Sequence, residues 1–103
     1  MDENLERFLR YVKIDTQSND QSQSVPSEKK ELNLTKLLQK ELNEIGISSY
    51  IDEFGVLYGK LDGENDMDPV GLNAHVDTAL ELSGKDVKPQ IIKNYDGGEI
   101  KLN

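Results

Sequence analysis

Apolar residues recur with helical spacing near the start of the chain, at positions i, i+3, i+4 and i+7. They are Leu5, Phe8, Leu9 and Val12. This stripe predicts an amphipathic helix that packs its apolar face into the core. Asp2 or Asn4 is the expected N-cap, because a short polar side chain can accept a hydrogen bond from a free amide of the first turn.

A second helical pattern opens at Pro26 and Ser27. Its predicted buried stripe consists of Leu34, Leu37, Leu38, Leu42 and Ile45. Ser27 is the expected N-cap, and Glu28 would favour the first turn, where the helix dipole attracts negative charge. Gly46 is expected to end the helix in the left-handed conformation, which costs glycine little.

After Gly46 the pattern changes from a helical period to an alternating one. Residues 48–53 and 56–61 predict two strands connected by a turn at Gly55. Residues 70–75 predict a third strand. This strand opens with the unbroken run Val70-Gly71-Leu72, which is typical of a strand in the interior of a sheet.

Residues 90–93 and 99–102 predict two further short strands, joined by the tight-turn sequence Asp96-Gly97-Gly98. The predicted order is helix, helix, three strands and a small hairpin. Helices beside a sheet, with a candidate site at a strand end, indicate an α/β fold class. We expect the chain to be the opening part of such a domain, because no later helices follow to cover the sheet.

Length, charge and cysteine content narrow the possible functions. The 103 residues suffice for one small domain or for part of a larger one. The 12 basic and 20 acidic side chains give a formal net charge of −8, so neither nucleic acid nor an anionic membrane is an expected partner. The sequence contains no cysteine, no apolar run of the ~20 residues that span a bilayer, and no secretory signal at its start. We therefore expect a cytoplasmic protein.

The candidate chemistry lies in the segment from Gly71 to Thr78, which holds the only histidine. Residues i and i+2 of a strand point to the same face, so His75 and Asp77 would lie side by side. This arrangement suits a metal site, because the imidazole can bind the metal through one nitrogen while the carboxylate holds the proton on the other. The spacing equally fits a strand-end histidine beside a solvated aspartate. Both interpretations stay open on spacing alone.

Several sequence strings together resemble the peptidase T family of di-zinc exopeptidases. The strings are Glu6-Arg7-Phe8-Leu9-Arg10-Tyr11-Val12, Asp15-Thr16-Gln17-Ser18, Ala74-His75-Val76-Asp77-Thr78, Ser83-Gly84-Lys85-Asp86-Val87-Lys88-Pro89-Gln90 and Asn94-Tyr95-Asp96-Gly97-Gly98. His-x-Asp is shared by many zinc exopeptidases, whereas the last two strings are far more specific. The resemblance covers nearly the whole chain.

The resemblance implies an aminopeptidase that releases the N-terminal residue from tripeptides and holds two zinc ions. His75 matches the family's histidine ligand to one zinc ion, and Asp77 matches the catalytic-site aspartate that orients this histidine. The remaining ligands and the general base would follow Asn103. Residues 1–103 would then be the N-terminal portion of an incomplete, helix-flanked mixed-sheet catalytic domain, with small peptides as substrates and an oligomeric state that stays open.

The sequence departs from the family pattern at two places. Leu80 and Glu81 follow the His-x-Asp-Thr string where the family usually has Pro and Asp, and Glu28 and Lys29 follow Ser27 where Thr and Glu are usual. The competing hypothesis is a truncated, non-catalytic α/β module with a structural or interaction role. A serine hydrolase that uses His75 and Asp77 is disfavoured, because the sequence has no Gly-x-Ser-x-Gly nucleophile turn.

Overall fold

Two helices precede a two-stranded antiparallel hairpin in the computed structural model, which describes residues 2–102. The elements are α1 (Glu3–Tyr11), α2 (Glu31–Glu44), β1 (Ser48–Ile51) and β2 (Leu57–Lys60). This composition has the α/β character that the sequence predicts. The remaining described residues are irregular apart from one isolated parallel bridge between Gln17 and Thr78. Among residues 2–102, no helix is long and apolar enough to cross a membrane.

The start of α1 agrees with the prediction, and Asp2 rather than Asn4 is its N-cap. The Asp2 carboxylate accepts hydrogen bonds from the backbone amides of Asn4 (2.7 Å) and Leu5 (3.2 Å). The expected burial of its apolar face is wrong, since none of the helix residues is buried and Phe8 is 59% exposed. Phe8 lines an open groove instead of a closed core.

A charged cluster around Glu41 connects α1 to α2. Arg10 donates to Glu41 Oε1 from Nε (3.2 Å) and Nη2 (2.9 Å), and the Tyr11 hydroxyl donates to Glu41 Oε2. Burial, followed by the hydrogen bond to Glu41, raises the pKa of Tyr11 to about 12. The hydrogen bond from Tyr11, supported by Arg10 and opposed by desolvation, lowers the pKa of Glu41 below its usual value of 4.5. The ionised carboxylate therefore stabilises the contact between the helices.

Replacing Glu41 by glutamine is expected to lower the free energy of unfolding by about 1 kcal/mol at pH 7, because the neutral amide makes weaker hydrogen bonds. Since the folded pKa of Glu41 is lowered, this stabilisation is present above the ordinary glutamate pKa. It is lost as the pH falls through the lowered value, where protonated Glu41 resembles glutamine. Urea unfolding of both proteins across this pH range measures the difference.

Glu44→Gln is the matched control, because Glu44 lies on the same helix and pairs only loosely with Lys40 at 3.8 Å. This variant is expected to change the free energy of unfolding by less than about 0.5 kcal/mol. An equal loss in Glu41→Gln and Glu44→Gln, or a Glu41 effect that persists at low pH, would contradict the role of the cluster.

The helix α2 begins at Glu31, four residues after the predicted N-cap. The Ser27 hydroxyl does not accept a bond from a helix amide; it donates to Glu31 Oε1 at 2.6 Å, and the Glu28 amide donates to the same oxygen at 3.0 Å. The intervening residues form tight turns, in which the amides of residues 31–33 each bond to the carbonyl three residues earlier. The position before the helix is occupied by Lys30, which offers no side-chain cap. The prediction of the N-terminus is therefore wrong.

The end of α2 agrees with the prediction. Gly46 has φ +86°, and its amide donates to the Asn43 carbonyl (3.1 Å) while the Ile47 amide donates to the Leu42 carbonyl (2.9 Å). This pair of bonds is a Schellman motif, which requires the left-handed conformation at Gly46. Within the predicted stripe Leu34 is buried, but Ile45 is 66% exposed, so the stripe ends before the last turn.

The hairpin of β1 and β2 confirms the two predicted strands, with shorter bounds. Tyr50 pairs with Tyr58 in the antiparallel register, and the two rings stack with centroids 5.0 Å apart. Gly55 lies in the connecting turn with φ +81°, as predicted. The strands pack against α2, which therefore lies at the centre of the described fold.

The three later strands of the prediction do not form. Residues 70–75 are irregular, and Val70 and Leu72 are 87% and 95% exposed, so this segment is not the interior of a sheet. Residues 90–93 and 99–102 are also without strand structure, although Gly97 takes φ +89° within the predicted turn. A strand exists only through hydrogen bonds to a neighbour, and residues 2–102 offer these segments none. The mixed sheet is therefore absent from the described residues.

Candidate metal centre

His75 and Asp77 contact each other directly, as the i, i+2 spacing predicts, although the segment is not a strand. His75 Nδ1 lies 2.9 Å from Asp77 Oδ1 and 2.9 Å from the Asp77 carbonyl oxygen. Both oxygens only accept hydrogen bonds, so the geometry favours the tautomer with the hydrogen on Nδ1. The His75 side chain is 85% exposed, which leaves Nε2 accessible as a ligand atom.

The His75–Asp77 pair is held by the segment of residues 15–18, about 60 residues earlier in the chain. The Thr16 hydroxyl donates to the Val76 carbonyl at 2.8 Å, and the Thr78 amide donates to the Thr16 carbonyl at 3.0 Å. The Ser18 amide then donates to the Thr78 carbonyl at 3.0 Å, which completes the parallel bridge. Thr16 is 2% exposed and is the most deeply buried side chain described. The backbone on either side of Asp77 is therefore tied to a fixed support.

Gln17 and Gly84 extend this support to the residues that follow Thr78. The Gln17 amide nitrogen Nε2 donates to the carbonyls of Leu80 (2.9 Å) and Leu82 (3.1 Å). Gly84 packs closely, because a Cβ at this position would lie 3.0 Å from Thr78 Oγ1 and 3.2 Å from Asp15 Oδ1. Three strings that the sequence resemblance uses separately, residues 15–18, 74–78 and 83–90, thus lie together in the fold.

Asp15 connects the support to Lys30, the residue directly before α2. Its Oδ1 accepts a hydrogen bond from the backbone amide of Gln17 at 3.1 Å, and its Oδ2 lies 3.1 Å from Lys30 Nζ. The Gln17 hydrogen bond, followed by that of Lys30, lowers the pKa of Asp15 below its usual value. The carboxylate is therefore ionised at neutral pH and holds both partners.

The donor set fits one ligand of a zinc site and no more. A catalytic zinc site commonly has three protein ligands and one open position. Residues 2–102 contain no group of three His, Cys, Asp or Glu side chains that could surround one ion. His75 has a free Nε2 and a hydrogen-bonded Nδ1, which is the arrangement of a metal-binding histidine supported by a carboxylate.

An open apolar groove of about 610 Å³ adjoins His75. Its apolar lining includes Phe8, Val12, Leu34, Leu38, Leu82 and Val87. The groove lies between α1, α2 and the segment after Thr78, which explains why the apolar face of α1 stays accessible.

Comparison with known proteins gives the family. No family model matches the chain. Over 101 residues, 96% of the chain, it is 48% identical to peptidase T of Desulfitobacterium hafniense. It is 49% identical over 102 residues to peptidase T of Bacillus mycoides, and 47% identical over 106 aligned positions to peptidase T of Clostridium acetobutylicum. The chain belongs to the peptidase T family.

The chain spans about a quarter of the length of these peptidase T relatives, 25% to 26% in the three cases. The identities to these relatives confirm the family resemblance drawn from the sequence strings. The roles of His75 and Asp77 stay predictions, since the comparisons match the chain as a whole.

Sequence reasoning missed Thr16, which binds the backbone between His75 and Asp77. The string Asp15-Thr16-Gln17-Ser18 supports the resemblance, but Thr16 has neither a carboxylate nor an imidazole, and nothing in its spacing points to residues 76–82. Only the hydrogen bond from Thr16 Oγ1 to the Val76 carbonyl reveals the connection. A polar string directly after the first helix is the one signal that could have drawn attention to this segment.

Proposed function

We propose that the full-length protein carrying this chain is a zinc-dependent aminopeptidase that releases the N-terminal residue from tripeptides. Two zinc ions in the intact catalytic domain are part of the proposal. The observation that carries it is the contact between His75 and Asp77, within a chain that is 47–49% identical to peptidase T relatives. The proposal places the enzyme in the cytoplasm, with small peptides as its substrates.

The two residues have distinct roles in this proposal. His75 would bind one zinc ion through Nε2, and Asp77 would hold the hydrogen on Nδ1 and keep the ring in one orientation. Bound zinc would supply Lewis-acid polarisation of the scissile carbonyl and an activated water.

The test uses the full-length protein and a tripeptide with a free amino terminus. We expect the products to be the free first residue and a dipeptide. Chromatography of the products measures both. An N-acetylated copy of the same tripeptide should be cleaved about 100-fold more slowly or worse, since the proposed enzyme would recognise the free amine. Removal of metal with a chelator should abolish the activity, and added zinc should restore it.

Two results would overturn the proposal. One is equal cleavage of the free and the N-acetylated tripeptide, which would indicate an endopeptidase or a carboxypeptidase. The other is full activity in a protein shown by elemental analysis to contain no metal.

A further inference from the structure

We propose that Thr16 is a positioning residue that sets the geometry of the His75–Asp77 pair through the backbone of Val76. The inference rests on the proposed function, because it assigns His75 to zinc. The hydrogen bonds described for Thr16 go to the backbone and not to either side chain of the pair. Its hydroxyl donates to the carbonyl of the residue between them, at 2.8 Å.

The hydrogen bonds of Thr16 lie on both sides of Asp77. The hydroxyl binds the Val76 carbonyl before it, and the Thr16 carbonyl accepts the Thr78 amide after it at 3.0 Å. Two consecutive peptide groups are therefore held by one residue. Because each peptide group is planar, fixing both groups that flank Asp77 fixes the direction in which its Cα presents the side chain.

The pair depends on this support more than a pair within a regular sheet would. Residues 74–77 have no strand structure, and His75 is 85% exposed, so side-chain packing does little to hold the ring. His75 Nδ1 also contacts the Asp77 carbonyl oxygen at 2.9 Å, in addition to the carboxylate. The Asp77 carbonyl belongs to the Asp77–Thr78 peptide, whose amide donates to the Thr16 carbonyl. A change in the backbone at Asp77 would therefore disturb both contacts of Nδ1 together.

The burial of Thr16 indicates that the hydrogen bond of its hydroxyl matters at this position. The side chain is 2% exposed, and a buried hydroxyl is costly unless it is bonded. Without this donor, the Val76 carbonyl would lose the partner described for it and would be free to turn toward water. Valine would fill the same volume as threonine, whereas serine would keep the donor and lose a methyl group.

These opposite properties define the experiment, which uses the full-length protein. Zinc affinity is measured by competition with a chromogenic chelator. The affinity compared is that of the zinc ion whose binding is lost in the His75→Ala variant. Thr16→Val is expected to weaken this affinity by at least about tenfold, the lower end of the 10–100-fold effect of outer-shell partners. Thr16→Ser should stay within about threefold of the unchanged protein. The visible spectrum of the cobalt-substituted protein should change in Thr16→Val and be retained in Thr16→Ser, because this spectrum reports ligand geometry.

Thr35→Val is the matched control. Thr35 is 3% exposed, and its hydroxyl also donates to a backbone carbonyl, that of Glu31 at 3.3 Å, but it lies within α2. This variant should retain zinc affinity and the cobalt spectrum. If Thr16→Val does not fold by circular dichroism, Thr16→Ala and Thr16→Ser replace it, because these two variants differ by a single hydroxyl.

The outcomes separate this inference from the proposed function. Zinc loss in His75→Ala, together with unchanged affinity and spectrum in Thr16→Val, would overturn the role of Thr16 and leave the proposed function intact. An equal loss in Thr16→Ser and Thr16→Val would also overturn it, since packing and not the hydroxyl would then matter. Absence of zinc from the unchanged full-length protein would overturn both proposals.

Discussion

The 103-residue chain, purified and supplied with zinc, is expected to hydrolyse no tripeptide. A catalytic zinc site commonly takes three protein ligands. The chain has one histidine and no cysteine, and residues 2–102 bring no three potential ligands together. His75 with Asp77 can supply only one ligand and its hydrogen-bond partner. Chromatography of a tripeptide after prolonged incubation measures the activity, with the full-length protein as the positive control.

The decisive comparison includes His75→Ala in the same 103-residue chain. Any cleavage that both samples share would come from a contaminating peptidase. Cleavage by the unchanged chain that the chelator stops and that His75→Ala lacks would contradict the prediction, and it would mean that fewer ligands suffice.

His75→Ala in the full-length protein is expected to remove one zinc ion and to lower kcat/KM for the tripeptide by more than about 100-fold. Loss of an outer-shell partner costs roughly 10–100-fold in metal affinity or activity, and loss of the ligand itself should cost more. Elemental analysis and the initial rate of tripeptide cleavage are measured on the same preparation, so that zinc content and activity can be compared directly.

Asp77→Asn is the graded companion to this variant. The amide oxygen can still accept the Nδ1 hydrogen at the distance seen for Asp77 Oδ1, but it carries no charge. We expect a loss of about tenfold in zinc affinity, smaller than that of His75→Ala. Unchanged zinc content and rate in His75→Ala would refute the assignment of His75, whatever the result for Asp77→Asn.

Local interactions explain which parts of the prediction are confirmed. The Asp2 cap, the end of α2 at Gly46 and the turn at Gly55 each depend on residues within five positions of one another. The predicted start of α2 is wrong for a related reason. Glu31 reaches back to the Ser27 hydroxyl and the Glu28 amide, and this competing bond occupies the side chain that should cap the helix.

The other predictions that are wrong need a distant partner. The run Val70-Gly71-Leu72 is apolar enough for an interior strand, yet Val70 and Leu72 are almost fully exposed. Hydrophobic pattern indicates that a segment prefers burial, but burial also requires a surface to pack against. The same reason applies to Phe8, whose face of α1 borders an open groove.

The sequence by itself determined the two helices, the hairpin and the adjacency of His75 and Asp77, because short spacing along the chain decides these features. It also determined the family, through strings that extend over nearly the whole chain. Only the tertiary structure decided how that pair is supported. Thr16 and Val76 lie 60 positions apart, and Arg10 and Glu41 lie 31 apart. A hydrogen bond between residues so distant depends on how the whole chain closes on itself, and no periodicity or motif encodes that closure.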